Sequence, residues 1–132
     1  MIIIPPEEQV GTAGKAGSRF TGDVFSYLTC TADGTTINTV SFTPGARTHW
    51  HSHEAGQILQ VLAGRGLVQS EGGPIEVLRA GFTVWVPAGE RHWHGAAPDS
   101  FMTHTAISLG TTSWDEPVAD IDYHAPHEEG PA

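Results

Sequence analysis

The sequence predicts an all-β domain, a barrel or a sandwich, on three observations. Its 132 residues include 16 glycines and 9 prolines spread along the whole chain. Short runs rich in Val, Ile, Thr and aromatic residues lie between them. No long stretch carries a helical period. A chain of this length forms one domain, spanning 1–132, with enough residues to bury a real core.

Taken in order, the strand-like runs are Phe20–Val24, Thr36–Phe42, His49–His53, Gln57–Ala63, Gly66–Ser70, Ile75–Arg79, Thr83–Val86, His92–His94 and Phe101–Leu109. Glu71-Gly72-Gly73-Pro74 is a hairpin signal between two of them. The core is therefore expected at about 20–110. Residues 111–132 are acidic and contain prolines. They read as an arm on a partner subunit or a frayed tail, with Trp114 and Tyr123 favouring some form of docking.

Strand alternation assigns faces. Gln57, Leu59 and Val61 share one face and Ile58, Gln60 and Leu62 the other. Asn38, Val40 and Phe42 share a face that is expected inward. On the last run Met102, His104, Ala106 and Ser108 share one side, but both sides hold apolar residues, so parity leaves its orientation open. Trp50, Trp85 and Trp93 are expected to pack on the barrel. Trp50 and Trp93 would do so from its outer side, where a dimer contact would fall. Arg47 and Glu90 would pair at the rim.

The charge of −9, with only six basic residues, argues against a nucleic-acid partner. Neither a basic amphipathic helix nor a membrane-spanning run is present. The N-terminal Met1-Ile2-Ile3-Ile4 run is too short for a signal peptide and lacks a basic flank. A soluble, cytoplasmic protein is the expectation. Cys30 is the single cysteine, so it forms no intrachain disulfide and is expected to be a small buried residue.

Two blocks carry the chemistry. The first is Gly45-x5-His51-x-His53-x3-Gln57-x6-Gly64 and the second is Gly81-x5-Pro87-x-Gly89-x2-His92. His51 and His53 are two apart, so on a strand they leave the same face, and Gln57 keeps that parity. His92 arrives from a separate segment. Three imidazoles and one amide oxygen suit a first-row divalent metal with positions left open for a small-molecule substrate. Manganese, iron, nickel and zinc all accept such a shell.

These blocks resemble the two motifs of the cupin superfamily, G-x5-H-x-H-x3,4-E-x6-G and G-x5-P-x-G-x2-H-x3-N. Gln57 stands here at the usual Glu and Ala96 at the final Asn. The resemblance implies a double-stranded β-helix with a metal inside, and a homodimer. Pro44-Gly45-Ala46-Arg47-Thr48, Trp50-His51, Gln57, the run from Pro87 to Pro98, and Met102-Thr103-His104 are similar to small bacterial manganese cupins. That group includes cupin-type hydroxynitrile lyases and the cupin domain of carboxymuconolactone-decarboxylase-like proteins. The likeness implies His51, His53, Gln57 and His92 as ligands of manganese and His104 and His94 as pocket histidines. His49, Asn38 and Ser108 depart from that group, which bears on the substrate rather than the metal.

Gln57 in place of a carboxylate leaves the metal its full charge among neutral ligands. That strengthens its pull on a substrate oxygen and disfavours redox cycling. His104 is then a candidate general base or acid and His94 a neighbour in the pocket. Asn38, Val40, Phe42, Leu59, Val61 and Ser108 are expected to line the substrate pocket. His49 reads as a rim residue, and His124 and His127 as solvated. A metal-dependent lyase for small hydroxy or carbonyl compounds is the leading reading. An iron or manganese dioxygenase and a non-catalytic binding module are the alternatives.

Overall fold

The computed structural model describes residues 1–9 and 17–125. Eleven strands make up the described fold: β1 Phe20–Thr21, β2 Val24–Ala32, β3 Thr35–Phe42, β4 Arg47–Thr48, β5 His51–His53, β6 Gln57–Ser70, β7 Ile75–Arg79, β8 Thr83–Val86, β9 His92–Ala96, β10 Met102–Leu109 and β11 Thr112–Trp114. One helical turn, α1, spans Asp120–Tyr123. No helix among the described residues is long and apolar enough to cross a membrane.

Two sheets share one long strand. The first half of β6 pairs with β8 and β10, and β3 and β2 extend that sheet to its edge. The second half pairs with β7 and β9, and β4 and β1 follow. Gly64 sits at the handover with φ of 78°. A side chain there would run into the carbonyl of Phe101 and would also oppose the positive φ. What the sequence presents as two runs, 57–63 and 66–70, is therefore one bent strand. The result is a double-stranded β-helix, a jelly-roll barrel.

The apolar core lies between the two sheets. Val24, Val40, Phe42, Val61 and Met102 come from one sheet, and Val68, Leu78 and Ala96 from the other. Alternation places Gln57, Leu59 and Val61 inward, at 3%, 0% and 3% exposure. Met102, His104 and Ala106 are buried too, which settles the orientation of β10.

Several expectations change. The run expected at Phe20–Val24 breaks at Gly22, with φ of 83°, into β1 and the start of β2. Most of β2 was not foreseen. Its register slips between Leu28 and Cys30, so its apolar residues do not alternate cleanly. His49 and Trp50 interrupt the expected 49–53 strand and separate β4 from β5. Cys30 is half-buried rather than buried. Trp85 does not pack on the barrel, being 61% exposed.

The C-terminal segment packs on its own barrel, at least as far as Ala125. Val118 and Tyr123 form a second cluster with Leu67, Ile75 and Trp93. Trp93 is indeed outside the barrel wall, yet this chain's own tail covers it completely. Trp50 packs against the same cluster and stacks under Arg91, 4.6 Å from the guanidinium carbon. Arg47 does not meet Glu90. It is buried, donates to Asp120 and the Val118 carbonyl at 2.7 and 2.8 Å, and lies over the Tyr123 ring.

The Tyr123 hydroxyl donates to the Ala96 carbonyl at 2.6 Å in a buried setting. A Tyr123→Phe variant is expected to lose about 1 kcal/mol of stability, because it leaves that carbonyl without its donor. Urea unfolding monitored on the strand signal checks this. An unchanged midpoint would mean that the hydroxyl is not what ties the tail down.

Candidate metal centre

His51 and His53 leave β5 on the same face, both buried. The short β5 lies between β11 and β9, and His51 stands directly opposite His92 in that register. Gln57 opens β6 after a turn at Gly56, whose φ is 102°. A Cβ at Gly56 would sit 2.7 Å from the Val86 carbonyl, so only glycine lets β5 turn this tightly into β6. One donor atom each from His51, His53 and His92 falls within 4.8 Å of the others.

Hydrogen bonds fix which ring nitrogen is free. His51 donates Nδ1–H to the His49 carbonyl at 2.8 Å, and His92 donates Nδ1–H to the Glu90 carbonyl at 2.9 Å. Burial holds both rings below their ordinary pKa, so both are neutral and their Nε2 atoms carry lone pairs. His53 Nδ1 meets the Thr112 hydroxyl at 3.0 Å, and its Nε2 is buried with no partner. Burial pushes His53 down to about 4, with the neighbouring His92 adding to the shift.

Gln57 completes the set. Its amide nitrogen donates to the Ser108 hydroxyl at 3.0 Å, which turns its oxygen toward His92 Nε2 at 2.9 Å. Oriented this way, two acceptors face each other at hydrogen-bond distance with no proton between them. A shared cation resolves that contact and also takes up the unpartnered His53 Nε2. The donor set therefore fits a divalent metal held by three neutral imidazoles and one neutral amide oxygen.

A second pair of histidines lies beside this set. His94 comes from β9 and His104 from β10, and both are buried. His104 Nε2 and His94 Nδ1 are 2.9 Å apart, so one proton lies between them. The outer atoms, His94 Nε2 and His104 Nδ1, are buried without partners. Whichever ring holds the shared proton, one outer nitrogen carries a lone pair and the other an N–H. Burial depresses both pKa values, His104 to about 4 and His94 well below its ordinary value, the latter also through the charge of its histidine neighbours.

His51, His53 and Gln57 of the first group and both His94 and His104 open onto one cavity of about 160 Å³. An apolar cavity of ~150 Å³ takes a benzene ring, which sets the scale of a guest. Of the expected pocket residues, Asn38, Val40, Phe42 and Ser108 line it. Leu59 and Val61 do not. They face inward and are buried, with Leu59 beside Ala106 and Val61 in the apolar core.

The tail supplies a wall that the sequence did not announce. Trp114 stacks on His51 with ring centres 4.6 Å apart and an interplanar angle of 27°. Phe20, from the first strand, meets Trp114 at 5.9 Å and Phe42 at 6.3 Å. Thr112 and Thr48 line the cavity as well. The available signal was an aromatic residue in an otherwise polar, acidic tail. His49 is half-buried and contributes its backbone rather than its ring, and it is absent from the cavity wall. His124 is exposed against Tyr123. His127 lies outside the described residues.

Comparison with known proteins gives a consistent picture. The cupin domain family model matches residues 38–105. The chain is 50% identical over 88 residues to an (R)-mandelonitrile lyase of Granulicella tundricola, covering 64% of this chain and 67% of that protein. A solved cupin-like protein of Thermotoga maritima is 40% identical, with a TM-score of 0.82 over 88% of this chain and 95% of that one. A polyketide cyclase of Streptomyces resistomycificus shares the fold at 15% identity, with a TM-score of 0.66 over 93% of this chain and 90% of that one. With the histidines of both motif blocks brought within reach of one another and these relatives beside them, the chain belongs to the cupin family.

Proposed function

We propose that this protein is a manganese-dependent lyase that acts on small hydroxy or carbonyl compounds and cleaves cyanohydrins to an aldehyde and hydrogen cyanide. The observation that carries the reading is the buried His94–His104 pair, which opens onto the same cavity as the neutral donor set. The (R)-mandelonitrile lyase named above supports it through its likeness to this chain.

His51, His53, Gln57 and His92 would hold the metal. When bound, it supplies a Lewis acid that polarises the substrate oxygen. The remaining work falls to the chain's own groups. The lone pair at the outer nitrogen of the His94–His104 pair takes the substrate hydroxyl proton. The carbon–carbon bond to the nitrile then breaks, and its electron pair leaves with cyanide. The oxygen keeps the electrons of its former O–H bond and becomes the carbonyl. The opposite end of the pair holds an N–H from which cyanide takes its proton, and the shared proton crosses the 2.9 Å gap, which keeps both rings neutral and leaves the pair as its mirror tautomer, with the outer lone pair now on the other ring. Val40, Phe42 and Trp114 hold the apolar part of the substrate and keep water out.

Cyanide release from mandelonitrile tests this, measured on chelator-stripped protein and again after manganese is restored. Release that depends on manganese is the expected result. Protein that binds manganese tightly and releases no cyanide above the buffer rate would sink the lyase reading and leave the metal centre standing.

A further inference from the structure

Two of the three ligand rings have their tautomer set by the main chain. His51 and His92 donate Nδ1–H to the carbonyls of His49 and Glu90. A carbonyl accepts and cannot donate, so in both rings the Nε2 lone pair is free before any cation arrives. His53 is different. Its Nδ1 meets a side chain, the Thr112 hydroxyl at 3.0 Å, which belongs to a strand 59 residues further along the chain. A hydroxyl both donates and accepts, so it admits either tautomer of the ring. A cation on His53 Nε2 admits only one, with the proton on Nδ1 and the Thr112 oxygen as its acceptor. That Nε2 is buried and has no protein partner, which leaves it open to the cation.

The same strand sets where the ring stands. β5 is three residues long. On one side it pairs with β9 at His51, opposite His92. On the other it pairs with β11 along its whole length, Thr112 with His53, Ser113 with Ser52 and Trp114 with His51. Just beyond, the Glu54 amide donates to the Thr111 carbonyl at 2.9 Å. Two of the three imidazoles therefore ride on a strand whose continuous neighbour is the C-terminal segment. Thr112 and Trp114 share a face of β11, and Trp114 stacks on His51 as Thr112 holds His53.

We propose that Thr112 is a positioning residue of the metal centre. Its hydroxyl oxygen takes the Nδ1–H of His53 when a cation occupies Nε2, so β11 is part of the centre rather than a cover over it. Losing that acceptor weakens the metal-bound state most, because only that state obliges the ring to keep a proton on Nδ1. A buried N–H without an acceptor is then left behind. The step presupposes that the donor set holds manganese and does not depend on the lyase reaction.

Manganese(II) titrations of metal-free, full-length protein, followed by the electron paramagnetic resonance signal of the free ion, test the proposal. Thr112→Val keeps the shape of the side chain and removes the acceptor. It is expected to weaken manganese binding about 10–100-fold, the usual effect of losing the partner behind a ligating imidazole. Thr112→Ser restores the hydroxyl and is expected to bind within a few-fold of wild type. In a His53→Ala background, where binding is already weak, Thr112→Val is expected to have little further effect, since it acts through that ring. If Thr112→Val fails to fold, wild-type protein loaded with diamagnetic zinc supplies a second reading. Its His53 Nδ1–H is expected in nitrogen–proton spectra as a slowly exchanging ring proton. Absence of that proton would overturn the proposal, as would wild-type affinity in Thr112→Val. A loss in Thr112→Ser as large as in Thr112→Val would also overturn it, because packing of the strand and not the hydroxyl would then be what matters. So would an undiminished loss in the His53→Ala background. Wild-type protein that binds no manganese is a separate result: the donor set itself fails, and the role of Thr112 falls with it.

Discussion

His104→Gln is expected to lower kcat for cyanohydrin cleavage by about 10²–10⁴-fold, the usual contribution of a positioned proton-transfer group. Manganese affinity should change little, because His104 is not one of the four donors. The Gln side chain keeps a hydrogen-bond partner for His94 Nδ1 but has no nitrogen lone pair to take a proton. His94→Gln should cost a similar factor, since the two rings share one proton across 2.9 Å. The double variant should lose little more than either single one, because groups that act as a unit do not add. KM is expected to move much less than kcat. Metal content by elemental analysis separates this outcome from loss of the centre. Full activity in His104→Gln with manganese in place would make the pair a packing feature of the barrel and remove it from the reaction.

The candidate ligands come together as strand parity suggested, because parity is a local property. His51 and His53 sit on one strand, and Gln57 keeps their face through the turn that Gly56 permits. Depth along a strand is not local. Leu59 and Val61 share the parity of Gln57 and are buried like it, but β6 carries them away from the donor set and neither lines the cavity. Parity gives a face and does not say how far a cavity extends beneath it.

Long-range pairing was the part that stayed hidden. Thr112 meets His53 across a separation of 59 residues, and Arg47 meets Asp120 across 73. Nothing near either residue announces its partner. The result is a tail that serves its own barrel: β11 completes the sheet beside β5, Trp114 roofs the donor set, and Val118 and Tyr123 cover Trp93. Trp93 shows the consequence. Its outward parity was readable, yet an outward residue meets a partner subunit, solvent or its own chain depending on where a distant segment returns. The edge strand β2 was hidden for a different reason. A register slip between Leu28 and Cys30 removes the alternation by which a strand is recognised.

The same buried histidines make metal-stripped protein sensitive to acid. His104 titrates near 4 in the fold against an ordinary value of 6.5, because its ring is fully buried. His53 also falls to about 4, and His51, His92 and His94 are all lowered, each mainly by burial. Below pH 6.5 the unfolded chain takes up protons at these rings while the folded chain does not. Their contribution is therefore fully present above 6.5 and is lost as pH falls toward 4. For His104 alone the loss amounts to about 3 kcal/mol across that window. With the other rings acting in the same direction, a large part of a domain's 5–15 kcal/mol is at stake. Urea unfolding of stripped protein at pH 7.5 and at pH 4.5 is expected to show a strong drop in midpoint at the lower pH. Manganese should raise the midpoint at pH 7.5 and do much less at pH 4.5, where protons compete for the same nitrogens. Equal midpoints at the two pH values in stripped protein would mean that these imidazoles are not held neutral in the fold. The free lone pairs assigned to His51 and His92 would then have to be withdrawn, and with them the fit of this donor set to a cation.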